Sequence, residues 1–324
     1  MKPETEPVKD ISIDGKTSVN EIIGKFGSSG GFTAKKLAVG VDIVESMVKD
    51  KDCLRFLSFP ACIIATGARG VVKDMLKRKM FDIVITTCGT LDHDIARVYE
   101  DYYHGDFMMD DRELRDRGVN RLGNVLVPNE SYGIILEDKF KEFLPKIFAG
   151  FSEEQKRKGI STHELVWRIG ELMEKDPQAK RKEDSIVYWC WKNKVPMVVP
   201  GPTDGSVGYQ IWQFAQDHDL KLDILADETL LSDKVWNAKR SGALIVGGGI
   251  SKHHVIWHAQ FANGLDYVVY VTTAEEFDGS LSGAQPREAI SWGKMKKDAN
   301  NVLINGDATI ILPIVYAALV ERLK

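Results

Sequence analysis

"ALIVGGGISKHHVIWHAQFAN", Ala243 to Asn263, decides the fold. A short apolar, β-branched run ends in three consecutive glycines, and a segment with helical spacing follows at once. Glycines at such a junction allow a tight turn and let backbone amides approach a ligand, while the helix N-terminus beyond them favours an anion. This is one β–α unit. The same pattern recurs along the chain. Candidate strands are "CLRFLSF" (Cys53 to Phe59), "DIVITT" (Asp82 to Thr87), "PMVVP" (Pro196 to Pro200), "LKLDIL" (Leu220 to Leu225), "DYVVYVTT" (Asp266 to Thr273) and "NVLIN" (Asn301 to Asn305). Helical spacing follows at Thr66 to Lys79, Ser251 to Asn263 and Ala308 to Leu323.

Repeated β–α units predict an α/β domain, a doubly wound and mostly parallel sheet of Rossmann-like type with helices on both faces. Ligands in such sheets bind beyond the carboxyl ends of the strands. Residues 1–30 read as an N-terminal extension and 31–324 as a single NAD-binding catalytic domain, since no internal repeat or low-complexity linker divides the chain. Phe107 to Ser185 is less regular and highly charged, and "KDPQAKRKED" (Lys175 to Asp184) reads as a solvated loop between helices.

Composition narrows the function classes. The 324 residues are 44% hydrophobic, enough for a sizeable core. With 43 Lys plus Arg against 47 Asp plus Glu, the net charge of −4 gives no general attraction to nucleic acid or to an anionic membrane. The first ten residues lack the apolar centre of a signal peptide, and the run from Ala308 to Val320 is too short to span a bilayer. A cytoplasmic protein is expected. Cys53, Cys62, Cys88 and Cys190 show no CxxC spacing and read as reduced thiols, mostly buried.

Five strand ends carry small and polar residues: "TTCGT" (Thr86 to Thr90), "GPTDGS" (Gly201 to Ser206), "GGGISKHH" (Gly247 to His254), "TTAEEFDGS" (Thr272 to Ser280) and "NGDAT" (Asn305 to Thr309). One tight β–α turn is usually only structural. Five in register argue for a nucleotide, and Asp204 and Asp307 can accept hydrogen bonds from ribose hydroxyls. The GxGxxG fingerprint is absent, and "GKFGSSGG" (Gly24 to Gly31) has neither the spacing nor a preceding strand.

His254 and His258 stand at i and i+4 and share a helix face that can hold zinc. The glutamate of HExxH is missing and spacing shows no third ligand, so no metal is assigned. His253 directly follows the glycine turn, where a role in the cleft and a role as a capping or core histidine are equally open.

"EFDGSLSGAQPREAISWGKMKK" (Glu276 to Lys297) places Lys294 after Trp292 and Gly293, at the end of a helix begun at Pro286. A lysine is ordinarily a hydrated surface cation. Burial against an aromatic wall disfavours the ammonium, which is what an imine-forming amine needs. Glu288, on the same short helix, can bind a cationic amine.

These motifs, with "PTDGS", "NRLGNVLVPNESY" (Asn120 to Tyr132), "TTCGTLDHDIAR" and "NGDATIILP", resemble the deoxyhypusine synthase family, most closely its archaeal branch, from about residue 30 onward. The resemblance implies NAD-dependent transfer of the aminobutyl group of spermidine, through an imine on Lys294, to one lysine of the hypusine-containing translation initiation factor. It also implies a homotetramer. By position, His253 matches the histidine at the reacting carbon, Trp292 the apolar wall, and Glu288 and Ser282 residues of the polyamine tunnel. Thr87, Gly89, Asp204, Gly248, Thr273, Ala274, Asp307 and Ala308 match cofactor positions. Tyr209 and Leu281 stand where the eukaryotic pattern has acids facing the polyamine, and His93 where it has a glutamate. Another polyamine or agmatine as donor, a homospermidine synthase passing the group to putrescine, a silent NAD-binding scaffold and a zinc hydrolase on His254 and His258 are the rival readings.

Overall fold

A computed structural model describes residues 5–324. Nine strands form two sheets. In chain order they are β1 (Cys53–Phe59), β2 (Ile83–Thr86), β3 (Tyr103–His104), β4 (Val119–Leu122), β5 (Val125–Pro128), β6 (Met197–Val198), β7 (Arg240–Val246), β8 (Leu265–Thr272) and β9 (Met295–Asn305). The main sheet runs β6-β2-β1-β7-β8-β9 and every pair in it is parallel. From β1 the chain winds outward through β2 to β6, then crosses back to β7 and winds the other way to β9. The switch point lies between β1 and β7, where a doubly wound sheet opens a ligand crevice.

The inner strands are mostly apolar because both faces are covered, whereas the edge strand β9 is largely polar from Lys296 to Asn301. Alternate residues enter opposite cores: Leu57, Leu244 and Val269 join one cluster, and Phe56, Ala243, Ile245, Val268 and Tyr270 the other. Each such side chain, fully buried, contributes about 1.5–3 kcal/mol. The first core is covered by helices that include Phe32–Lys49, Ala68–Lys77 and Ala308–Arg322, and the second by Ile224–Trp236, Gly249–Gln260 and Pro286–Ser291.

Residues 19–29 of the N-terminal segment form a helix capped by Ser18 and Glu21. Ser18 Oγ donates to Glu321 Oε2 at 2.8 Å, and Ile23 is fully buried, so this helix packs on the body of the fold.

Two expectations need correction. "LKLDIL" is not a strand: Leu222 makes one isolated bridge to Ile160, and the helix Ile224–Trp236 begins at once, capped by Asp223, whose side chain accepts from the Ala226 amide at 3.0 Å. A cap that satisfies an orphan amide outweighs three apolar residues in alternation. The irregular region also holds a small antiparallel sheet, β3-β5-β4, within which β4 and β5 form a hairpin.

The four cysteines are free, with only Cys62 exposed. Burial pushes the Cys53 and Cys88 thiols up to about 12, so both are inert as nucleophiles. Among the described residues no helix is long and apolar enough to cross a membrane.

Candidate active site

All eight expected cofactor residues lie just past strand ends of the main sheet. Thr87 and Gly89 follow β2, Asp204 follows β6, Gly248 follows β7, Thr273 and Ala274 follow β8, and Asp307 and Ala308 follow β9. Parallel pairing brings these turns to one edge. Asp204 is exposed in its turn, whereas Asp307 already accepts the Thr309 amide at 2.8 Å as the cap of the last helix.

The glycine turn after β7 is shaped by a second segment that crosses it. A Cβ on Gly248 would meet Ser282 Oγ at 2.2 Å and Ser282 Cα at 2.4 Å. A Cβ on Gly283 would meet the Glu275 carbonyl oxygen at 2.0 Å. No side chain fits at either position, so residues 281–284 lie flat on the turn.

Lys252 holds them there. Its ammonium donates to the carbonyls of Leu281 at 2.7 Å and Ala284 at 3.1 Å, 3.9 Å from the centroid of the Tyr270 ring. Burial pulls its pKa down to about 8, while Glu288 pulls it back up. The unfolded chain keeps this proton up to the ordinary value of 10.5, so the ammonium costs stability below pH 8. Relative to Lys252→Met, the wild type is therefore expected to gain stability as pH rises from about 8 to 10.5, on top of a constant offset for the lost carbonyl bonds; denaturant titrations across that range measure it.

Between the helices Gly249–Gln260 and Pro286–Ser291, against Tyr270 of β8, lies a cavity of about 180 Å³. Its lining includes Lys252, Leu281, Glu288, Trp292 and Lys294. Lys294 is 9% exposed, with Nζ 5.2 Å from the Trp292 ring centroid. Its backbone is clamped on both sides: the amide donates to Ala289 O at 2.9 Å, and the carbonyl accepts from Leu265 N at 3.1 Å. That places Lys294 in a link joining a short helix to β9, with only its side chain free to move.

His253 is the next residue after Lys252 and stacks on Trp257, ring centroids 5.8 Å apart. The residue is exposed and not among the cavity-lining residues, and partial desolvation holds its pKa below the ordinary value, with the charge of Lys294 and then of His254 adding to the shift. It is neutral at pH 7 and can take a proton.

Tyr209 is not among the cavity-lining residues; it is exposed on the helix Ser206–Asp217 against Trp212, whereas Leu281 does line the cavity. His93 is half-buried with Nδ1 2.9 Å from Tyr102 Oη, and desolvation, with Arg97, pushes its pKa down to about 4. Its neighbour Asp92 accepts from the amides of Ser206 and Val207, each at 2.8 Å, and from Tyr132 Oη at 2.7 Å. Asp92 thus fixes the turn that presents Asp204. Asp92, Lys252 and Tyr270 were not among the residues singled out from the sequence. For Lys252 a signal existed, a lysine three residues beyond a ligand-type glycine turn.

The fold is an α/β protein with a doubly wound sheet, polar turns at its strand ends and a buried lysine in an aromatic-walled cavity beside them. The deoxyhypusine synthase family model matches residues 21–319. Similar curated proteins named "Probable deoxyhypusine synthase" come from Picrophilus torridus, 52% identical and covering 96% of each chain, and Thermoplasma acidophilum, 51% identical and covering 97% of each. A solved structure from Entamoeba histolytica, also named for deoxyhypusine synthase, shares the fold at TM-score 0.67 with 18% identity, covering 96% of both chains. This chain belongs to the deoxyhypusine synthase family.

Proposed function

We propose that the chain is an NAD-dependent deoxyhypusine synthase that takes the aminobutyl group of spermidine, carries it as an imine on Lys294, and passes it to one lysine of the hypusine-containing translation initiation factor. The observation that carries this reading is Lys294 itself, buried beside Trp292 in a cavity that Glu288 also lines.

The strand-end turns fit a dinucleotide. Gly249 has open space where a Cβ would stand, the amide end of the helix Gly249–Gln260 suits phosphate, and the exposed Asp204 suits a ribose hydroxyl. When bound, NAD supplies a hydride acceptor that later returns the hydride, so the transfer is redox-neutral. Asp204→Ala is expected to weaken NAD binding by about tenfold, since a hydrogen bond to a charged group is worth about 1.5–3 kcal/mol. Fluorescence titration with the cofactor checks it.

In and beside the cavity each residue has a part, with His253 and Ser282 standing outside its lining. Lys294, as the free amine, attacks the imine carbon of the oxidised donor and 1,3-diaminopropane leaves by transimination. Neutral His253 takes the proton this attack releases. Trp292, itself 62% exposed, forms an apolar wall beside the imine, and Glu288 pairs with the far ammonium of the substrate. Ser282 lies beside the same tunnel. Assembly as a homotetramer and a cytoplasmic location belong to the same reading.

Leu281 favours a second reading of the donor. It brings an apolar side chain to the cavity, leaving Glu288 as the acid in the lining. Another polyamine, or agmatine, with fewer charges to anchor would suit this cavity. Labelled donor offered with the translation factor or with putrescine tests the whole proposal. Label on the factor's lysine supports it, and label on putrescine alone would make the chain a homospermidine synthase instead.

A further inference from the structure

The helix Gly249–Gln260 carries a second constellation on its other face. Lys252 and Ile256 line the cavity, while His254 and His258, each two residues further on, lie about 200° around the helix. Between their rings reaches Glu228, from the neighbouring helix Ile224–Trp236. His254 Nε2 is 2.6 Å from Glu228 Oε1, and His258 Nε2 is 2.9 Å from Glu228 Oε2. All three ligand atoms fall within 4.8 Å of one another. We propose that Glu228, His254 and His258 form a site for one divalent zinc-type ion that clamps these two helices together.

Two imidazole nitrogens and one carboxylate are a zinc donor set that leaves a coordination position for water. Zinc–ligand bonds of about 2.0–2.1 Å separate tetrahedral ligand atoms by about 3.3 Å, so the two His–Glu contacts must open by about 0.4–0.7 Å and the two imidazole nitrogens, which lie within 4.8 Å of each other, must settle at about that spacing. Glu228 can supply that movement because its side chain is 39% exposed, and the same exposure gives the ion a way in.

The frame is pre-set. Asp227, one residue before Glu228, accepts from the amides of Thr162 and His163, fixing the register of its helix. Leu231 and Val235 of that helix belong to the same core as Val255, Ile256 and Ala259. The ion would stiffen the helix that carries Lys252 and His253, at a distance from the transfer chemistry.

Protein stripped with chelator and titrated with Zn²⁺ in equilibrium dialysis, with Co²⁺ as a spectroscopic stand-in, tests the site without any activity measurement. One ion per chain, a visible Co²⁺ absorption band of nitrogen–oxygen ligation and a higher Tm with Zn²⁺ are expected. Glu228→Gln and His254→Ala, both at partly exposed positions that spare the core, should each weaken Zn²⁺ binding by at least about tenfold. Absence of saturable binding, or binding that neither variant changes, overturns the proposal.

Discussion

Lys294→Ala is expected to abolish aminobutyl transfer, by at least about 10³-fold, while the protein stays folded and still binds NAD. The loss is large because the covalent route ends when its nucleophile is removed. The fold survives because the backbone of Lys294, and not its amine, is what the neighbouring elements grip through Ala289 and Leu265. Lys294→Arg should fail equally, since a guanidinium does not give up its proton to become a nucleophile. A variant that loses transfer in step with its thermal stability would instead make Lys294 a packing residue. Single-turnover assays beside melting curves separate the two.

Asp94→Ala carries the largest expected cost in stability, about 3–5 kcal/mol. The Asp94 side chain is fully buried and accepts from Arg69 Nε at 2.7 Å, Ser185 Oγ at 2.6 Å and the amides of Ile186 and Val187 at 3.0 and 2.9 Å. Removing the carboxylate strands a buried guanidinium and leaves the first two amides of the helix Ile186–Asn193 without their acceptor, although Ser185 still caps it through Tyr188. Asp94 shares the helix Cys88–Tyr99 with Gly89, so the damage reaches the proposed cofactor edge. Urea denaturation at neutral pH measures the cost, and a change under about 1 kcal/mol would show that the pair is dispensable.

Much of the main sheet could be read from the sequence because each β–α junction combines two local signals. A β-branched run supplies the strand and glycine or aspartate supplies the turn, so the edge carrying Gly248, Asp204 and Asp307 was visible. Short elements whose partners are distant were harder. "PMVVP" is read as a strand, yet only pairing with β2 bounds β6 at its two residues. "NRLGNVLVP" did contain a hairpin signal, a two-residue Gly123–Asn124 loop with Gly123 at φ +61. The charged surroundings hid it.

The cavity followed the same division. Lys294 and Trp292 sit three and one residues past the helix Pro286–Ser291, so their proximity is local. Lys252 meets them only because the segment 281–284 folds back across the glycine turn. Glu228 lies 26 and 30 residues from the histidines it joins, so no spacing rule reaches it. Tertiary packing, not periodicity, creates both contacts.

The account stands on Lys294 as the carrier of the aminobutyl group. Wild-type protein incubated with NAD and spermidine, trapped with borohydride, and analysed by intact mass and peptide mapping tests it most directly. The expected result is a single aminobutyl adduct on Lys294. An adduct on a different residue, or none with any polyamine while transfer proceeds normally, would contradict the covalent mechanism.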